Sequence, residues 1–215
     1  MEEPDRHQNE HPRISGTELF LLSLGSALLY AFIAWIIFYY FHEDSPLEII
    51  FAGLPVVQQI GVGVGFGCLA AAGVGFITYQ PPVSGILRDF AIIDFVSNTR
   101  FTFFDRVQVS VFAGVGEEFL FRGAIQPLLG VWWTSVIFVA LHGYFHFKST
   151  GHIIFGLMMF SLSVGLGFLF EWAGLIAAMV AHTVYDFVLL QAVHIWGLPD
   201  TTKLPDNQNY DNHEL

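Results

Sequence analysis

The sequence predicts an all-α protein, a polytopic transmembrane helical bundle of about six spans. Of its 215 residues, 54% are hydrophobic and only 13% are charged, whereas a soluble domain carries about 25% charged residues. The mean hydropathy is +0.58. Residues 19–41 contain no charged side chain, and a helix of that length is roughly 35 Å long, which is enough to cross an apolar bilayer core of about 30 Å.

Apolar segments of similar character recur along the rest of the chain. The third and the fourth are joined tightly at Gly130, and the second is rich in glycine, which favours a close-packing helix face. Ser15 and Glu18 precede the first span at the spacing of a capping box, so the first helix is expected to begin there. The predicted spans are residues 19–41, 60–79, 107–129, 131–147, 151–170 and 174–196.

Basic residues are distributed unevenly about these spans. Of the eight Lys and Arg residues, seven fall in the two tails and in the second and fourth connections, all on one side of the bundle. The eighth, Arg122, lies inside a span. Because cytoplasmic segments carry the excess of Lys and Arg, both termini are predicted to be cytoplasmic. The seven residues are Arg6, Arg13, Arg88, Arg100, Arg106, Lys148 and Lys203.

Charge and cysteine content exclude several classes of protein. The net charge is −11 and no basic patch is present, which argues against nucleic-acid binding. The single cysteine, Cys68, cannot form an internal disulfide, and no CxxC pair exists for a cysteine-rich zinc module. Cys68 is expected to be a buried, inert thiol.

The pattern of apolar segments and polar connections divides the chain into five regions. The long connection between the second and third spans mixes apolar and acidic residues, and is either an interfacial amphipathic helix or an ordinary loop with apolar anchors. The regions are a polar cytoplasmic tail (1–18), two N-terminal transmembrane helices (19–79), a cytoplasmic or interfacial connection (80–106), a transmembrane core (107–196) and an acidic C-terminal tail (197–215).

Four charged side chains fall inside the predicted spans: Glu117, Glu118, Arg122 and Asp186. A charged residue at a helix centre costs about 2.5–3.5 kcal/mol on insertion scales, so such groups must be paired, hydrated or protonated, and by default they indicate a functional site. Glu118 and Arg122 are four residues apart and lie on one helix face. Taken alone, they also fit a structural ion pair.

Two histidines lie at depths compatible with these charges. His182 lies four residues before Asp186 on the last span, and His142 lies near the cytoplasmic end of the fourth. Counted from the cytoplasmic helix ends, these groups and Glu117 lie about 8–21 Å into the membrane, so antiparallel helices can bring them together. Either histidine alone also fits a hydrogen bond between helices.

These side chains suit the hydrolysis of a peptide bond, which needs an activated water, a stabilised oxyanion and a protonated leaving amine. Glu117 is the candidate general base, and His142 would share its water. His182 would donate to the oxyanion, and Asp186 would fix the tautomer of His182. A zinc site formed by His142, His182 and either Glu117 or Glu118 uses the same groups, although the HExxH signature is absent.

Three short motifs resemble the signatures of the CPBP (CAAX protease and bacteriocin-processing) intramembrane proteases, which include the type II CAAX prenyl endopeptidases. The motifs are Glu117-Glu118-x-x-x-Arg122, Phe138-x-x-x-His142 and His182-x-x-x-Asp186. The resemblance covers about residues 105–195 and implies a four-helix catalytic core in a multi-pass protein of the bacterial plasma membrane. It implies catalytic roles for Glu117, His142, His182 and Asp186, and supporting roles for Glu118, Arg122 and Phe138.

The resemblance also implies the partners, which are the lipid bilayer and a peptide or lipidated protein substrate. Eukaryotic members usually have Asn where this chain has Asp186, and an ionised carboxylate cannot donate to an oxyanion. The resemblance matches His182 and Asp186 to the oxyanion-binding pair, and Asp186 either acts on the oxyanion or only orients His182. No cofactor is favoured, and zinc is the alternative. Two other functions stay open: a non-catalytic scaffold or bacteriocin-immunity protein with the same fold, and a small proton-coupled transporter.

Overall fold

A computed structural model of the chain describes residues 14–199. Within this range every regular element is a helix and no strand is present, so the predicted all-α fold is confirmed. The predicted cytoplasmic placement of Arg6, Arg13 and Lys203 concerns residues outside the described range.

Eight α-helices follow one another in the described part of the chain. A π-helical segment, Phe119–Ile125, connects the fifth to the sixth, and a short 3₁₀ turn, Leu87–Asp89, precedes the fourth. The α-helices are α1 (Gly16–Phe41), α2 (Pro46–Phe51), α3 (Val56–Thr78), α4 (Ala91–Asn98), α5 (Phe103–Glu118), α6 (Gln126–Leu141), α7 (Thr150–Ala173) and α8 (Leu175–Trp196).

Local capping explains where α1 and α5 begin. The backbone N–H of Glu18 donates to Ser15 Oγ at 3.2 Å, and the backbone N–H of Ser15 donates to the Glu18 carboxylate at 2.8 Å. This is the predicted capping box. Thr102 and Asp105 form the same reciprocal pair at the start of α5. Each box satisfies backbone donors that the first helical turn leaves free.

Five helical stretches are long and apolar enough to cross a membrane, which indicates an integral multi-pass membrane protein. Many large apolar side chains on them point outward, as expected for surfaces that contact lipid. The stretches are Gly16–Phe41, Val56–Thr78, Phe103–Leu141, Thr150–Ala173 and Leu175–Trp196.

The third of these stretches folds back on itself at Gly130. A straight helix of its 39 residues would be about 58 Å long, far more than one membrane crossing. Gly130 has φ 76° and ψ 168°, and the rings of Phe121 and Phe138 lie 5.0 Å apart, although a straight helix would separate them by about 25 Å. The chain therefore reverses where the sequence predicted a tight joint.

The arm after this reversal is shorter than predicted. The expected span 131–147 ends at Leu141, because His142 caps the helix and Gly143 has a positive φ of 69°. From Gly130 to Leu141 the arm is only about 16 Å long, too short to cross a bilayer core of about 30 Å. The structure thus has five membrane-length stretches, but residues 131–149 still return the chain to the side of the second connection, since His152 at the start of α7 lies 3.1 Å from Asp89.

Helix α8 packs against both α3 and α5, and small residues allow the closest approach. A Cβ added at Gly63 would lie 2.7 Å from the carbonyl oxygen of Ala177, and one added at Gly67 would lie 2.5 Å from that of Ala181. Real Cβ atoms do not approach oxygens so closely, so α3 and α8 meet at this spacing only because both positions are glycine. The close-packing interpretation of the glycine run is confirmed.

Cys68 departs from its predicted burial. It is exposed on α3, because it follows Gly67 by one residue and so points about 100° away from the face that meets α8. The expectation of a buried thiol was wrong. Its side chain instead lines a cavity between α3, α4 and α8.

Candidate active site

The two adjacent acids end α5 at the point where the helix widens. Glu117 and Glu118 are followed immediately by the π-helical segment, which contains Arg122. Such π segments inside α-helices occur frequently at functional sites. No feature of the sequence indicated this change in winding, because glutamate, phenylalanine and leucine are all compatible with an ordinary α-helix.

Glu118 is the centre of a fully buried ionic network. Its Oε2 accepts a hydrogen bond from Arg122 Nε at 3.0 Å, and its Oε1 lies 2.8 Å from His182 Nδ1. Arg122 also donates from Nη2 to Ser163 Oγ at 2.9 Å, and its guanidinium lies 5.6 Å from the centre of the Phe138 ring. The buried charges are thereby paired, and the network joins the π segment to α7 and α8.

Glu117 faces two imidazoles that come from other parts of the chain. Its Oε2 lies 3.3 Å from His142 Nε2 and 4.0 Å from His182 Nε2. The Glu117 side chain is 12% exposed, that of His142 is 23% exposed and that of His182 is 9% exposed. The three groups are therefore largely shielded, although a small molecule can still reach them.

The hydrogen bond of His142 Nδ1 determines whether the nitrogen that faces Glu117, Nε2, carries a proton. His142 Nδ1 lies 2.8 Å from the carbonyl oxygen of Phe138. A carbonyl oxygen only accepts, so Nδ1 carries the proton and a neutral ring presents an unprotonated Nε2. The Glu117 carboxylate and His142 Nε2 are then two acceptors 3.3 Å apart. A water molecule that donates one hydrogen to each would be held with its oxygen lone pairs free.

The environment of His182 differs from the predicted one. Asp186 Oδ2 lies 3.5 Å from His182 Nε2, at the limit of a hydrogen bond, whereas Glu118 holds Nδ1 at 2.8 Å. Glu118, rather than Asp186, thus contacts the nitrogen that sets the tautomer. The i, i+4 spacing correctly placed Asp186 beside the ring, but a contact from another helix cannot be read from spacing within one helix.

Aromatic rings enclose His142 on both faces. The Phe138 ring stacks on it at 4.2 Å between centroids, and the Tyr144 ring lies nearly parallel at 5.6 Å. Phe138 therefore supports His142 both through its ring and through its carbonyl oxygen. Tyr144 was not among the predicted site residues, since it follows the helix end and belongs to none of the three motifs.

A large cavity adjoins the ionic cluster. It measures about 850 Å³ and lies between α3, α4 and α8, with Tyr144, Tyr185 and Asp186 in its wall nearest the cluster. Most of the other lining side chains are apolar. Its size is within the range of about 300–1,000 Å³ that is usual for ligand pockets, so it offers room for a whole apolar group beside Asp186.

The predicted zinc ligands do not converge as a set. In residues 14–199, no group of three His, Cys, Asp or Glu side chains has the geometry of a metal site. His182 Nε2 is 4.0 Å from Glu117 Oε2, whereas two ligand atoms of a tetrahedral zinc ion are roughly 3.4 Å apart. The residues as placed therefore do not fit a three-ligand zinc ion, and no step proposed below runs through a metal.

Comparison with known proteins identifies the class to which this site belongs. Residues 99–188 match the family model described as Type II CAAX prenyl endopeptidase Rce1-like. All seven predicted site residues lie within that range. The chain therefore contains a domain of the Rce1-like type II CAAX prenyl endopeptidase (CPBP) family, a family of proteases, and the resemblance given above is confirmed.

A curated bacterial protein is also similar to part of the chain. The protein named "Uncharacterized protein YpbD", from Bacillus subtilis, is 40% identical to this chain over 73 residues. The match covers 34% of this chain and 36% of that protein, so the chain spans about a third of the length of this relative. No solved structure matches the chain.

Proposed function

We propose that the protein is an intramembrane endopeptidase that hydrolyses a peptide bond of a lipidated, CAAX-like or membrane-associated substrate. The observation that carries this proposal is the 3.3 Å approach of Glu117 Oε2 to His142 Nε2. It provides two acceptors, one on α5 and one on the residue that caps α6, that can hold and polarise one water in a shielded site. This is the arrangement that general-base hydrolysis requires.

The reaction follows from these two acceptors. Glu117 removes a proton from the water as the water oxygen bonds to the scissile carbonyl carbon, and the carbonyl oxygen becomes an oxyanion. Glu117 then returns that proton to the amide nitrogen, the C–N bond breaks, and the products are a carboxylic acid and an amine. A positioned general base of this kind contributes about 10²–10⁴-fold to the rate.

His182 is the proposed partner of the oxyanion. Its Nδ1 lies against Glu118, so its Nε2 points toward Glu117 and Asp186. When the ring carries both protons, the Nε2–H donates to the oxyanion, and the carboxylates of Glu118 and Asp186 balance the positive charge. Asp186 thus acts by positioning and charge, since it cannot itself donate when ionised.

The cavity and the charge distribution support the substrate class and the membrane orientation in this proposal. A lipid chain or an apolar peptide segment fits the apolar cavity that has Asp186 in its wall. The one-sided distribution of seven Lys and Arg residues favours cytoplasmic termini. The Bacillus subtilis relative favours a bacterial plasma membrane.

The test is cleavage by purified protein in nanodiscs. One probe is a quenched fluorescent peptide that ends in S-farnesylcysteine followed by three apolar residues, and the other is the same peptide without the lipid. Wild-type protein should cleave at least one of them, and Glu117→Gln should lower the rate by about 10²-fold or more. Glu43→Gln, at an exposed site beyond α1, is the matched control and should retain full activity.

Each other outcome has a defined meaning. Full activity in Glu117→Gln would reject the role of Glu117. No cleavage of either probe, together with an unchanged membrane proteome in a strain that lacks the protein, would favour the non-catalytic scaffold or immunity function. Activity that is lost on chelation and restored by zinc would favour the metal-dependent alternative.

A further inference from the structure

Few side chains around Glu117 can donate a hydrogen bond to a developing oxyanion. Glu117, Glu118 and Asp186 only accept when ionised. Arg122 is fully buried and donates from Nε to Glu118 and from Nη2 to Ser163; its Nη1 has no partner in the described range, but Arg122 does not line the cavity. Oxyanion donors are usually the largest single contribution to this kind of catalysis. Each remaining donor on the cavity wall is therefore a candidate for stabilising the oxyanion.

Tyr144 is held firmly beside the site. Its backbone N–H donates to the carbonyl oxygen of Val139 at 3.1 Å. Its ring flanks His142 and meets the rings of Phe90 and Phe155 edge-on, at 5.9 and 5.5 Å between centroids. Contacts on three sides fix the ring, so the direction of its hydroxyl group is determined by packing.

The hydroxyl of Tyr144 is available for a ligand. Tyr144 lines the cavity next to Asp186, and its hydroxyl has no hydrogen-bond partner within the described range. By contrast, the hydroxyl of Tyr185 lies against Met159 Sδ at 3.9 Å. Burial, together with the negative charges of Asp186 and Glu117, raises the pKa of Tyr144 above its usual value, so the hydroxyl keeps its proton and is a donor.

We propose that the Tyr144 hydroxyl donates a hydrogen bond to the scissile carbonyl oxygen and is a catalytic residue alongside His182. This inference rests on the function proposed above. The carbonyl oxygen would lie between Tyr144 Oη and His182 Nε2, while the attacking water is held by Glu117 and His142. The phenol keeps its proton throughout, so the proton balance of the reaction is unchanged.

The decisive variant is Tyr144→Phe, which removes the hydroxyl and keeps the ring contacts. With the farnesylated peptide in nanodiscs, kcat should fall by about 10²–10³-fold, the usual effect of removing one oxyanion donor. KM should change by no more than about twofold, because the hydrogen bond strengthens only in the transition state. The shape of the pH–rate profile and the melting temperature should stay as in the wild type.

Tyr40→Phe is the matched control, since it also removes a tyrosine hydroxyl but Tyr40 is exposed near the end of α1 and does not line the cavity. It should retain kcat within about threefold, because no oxyanion donor is lost. Equal losses in the two variants, an unchanged kcat in Tyr144→Phe, or a rise in KM alone would each overturn the proposal.

Wild-type protein and Glu117→Gln are assayed alongside. Cleavage that needs Glu117 but not the Tyr144 hydroxyl rejects only the tyrosine. Wild-type protein that cleaves neither probe, together with an unchanged membrane proteome in the strain that lacks it, rejects both proposals.

Discussion

Glu118 Oε1 and His182 Nδ1 lie 2.8 Å apart and join α5 to α8 through a contact that is completely shielded on the Glu118 side. The other carboxylate oxygen of Glu118 accepts from Arg122 Nε at 3.0 Å. One buried carboxylate thus compensates a guanidinium and orients an imidazole. The consequence is that the two neighbouring acids have separate tasks, since Glu118 organises the site whereas Glu117 faces the space where chemistry is proposed.

Glu118→Gln should therefore damage folding as well as activity. The substitution removes the charge that compensates Arg122, and breaking a buried pair by changing one partner usually costs about 3–5 kcal/mol. The amide oxygen accepts but the amide nitrogen only donates, so either one of Arg122 and His182 loses its partner or His182 has to shift its proton from Nδ1 to Nε2. The expected result is a clear fall in the melting temperature of the detergent-solubilised protein, together with loss of cleavage.

Glu117→Gln provides the comparison at the adjacent position. It leaves the contacts of Glu118 with Arg122 and His182 intact, so its melting temperature should match that of the wild type while cleavage is lost. If Glu118→Gln melted like the wild type, Glu118 would not be the compensating charge that its distances indicate. The pair of variants thus separates a structural carboxylate from a reactive one.

The α3–α8 contact gives a second prediction. Ala181, which contacts Gly67, immediately precedes His182. A change at this contact should therefore shift His182 within the site. Gly67→Ala places a Cβ 2.5 Å from the carbonyl oxygen of Ala181, and overpacking of this kind typically costs about 1–3 kcal/mol. We expect a lower melting temperature and reduced cleavage, measured on the same preparations.

Gly65→Ala is the control on the same helix. A Cβ at Gly65 has nothing within 4 Å, and alanine is favoured over glycine in a helix by about 1 kcal/mol. This variant should be as stable as the wild type or slightly more stable, with full activity. Equal behaviour of the two alanine variants would mean that α3 and α8 are not in close contact at Gly67.

Much of the fold could be predicted because its determinants are local. Hydropathy located the membrane-length helices, Ser15 and Glu18 defined the start of α1, and Gly130 marked the reversal. The sequence also identified Glu117, His142, His182 and Asp186 as candidates, because polar groups in apolar helices are costly. These signals depend on residues that are close in sequence, or on single positions.

The features that sequence reasoning missed depend on contacts between helices. The bond from Glu118 to His182 joins residues on α5 and α8, and no spacing rule relates them. The orientation of Tyr144 depends on rings from α7 and from the segment before α4. The end of α6 at Leu141 was also missed, since the apolar residues that follow it extend the hydropathy signal beyond the helix.

The reversal at Gly130 gives the last prediction. Its φ of 76° and ψ of 168° belong to a region that is essentially restricted to glycine, where another residue costs about 1–3 kcal/mol. Gly130→Ala should lower the melting temperature and reduce cleavage, because the returning arm brings His142 back to Glu117. Gly25→Ala in α1, where a Cβ meets nothing within 4 Å, should leave both quantities unchanged. If the two variants behaved alike, the approach of His142 to Glu117 would not depend on this backbone conformation, and the arm would be held by its side-chain contacts alone.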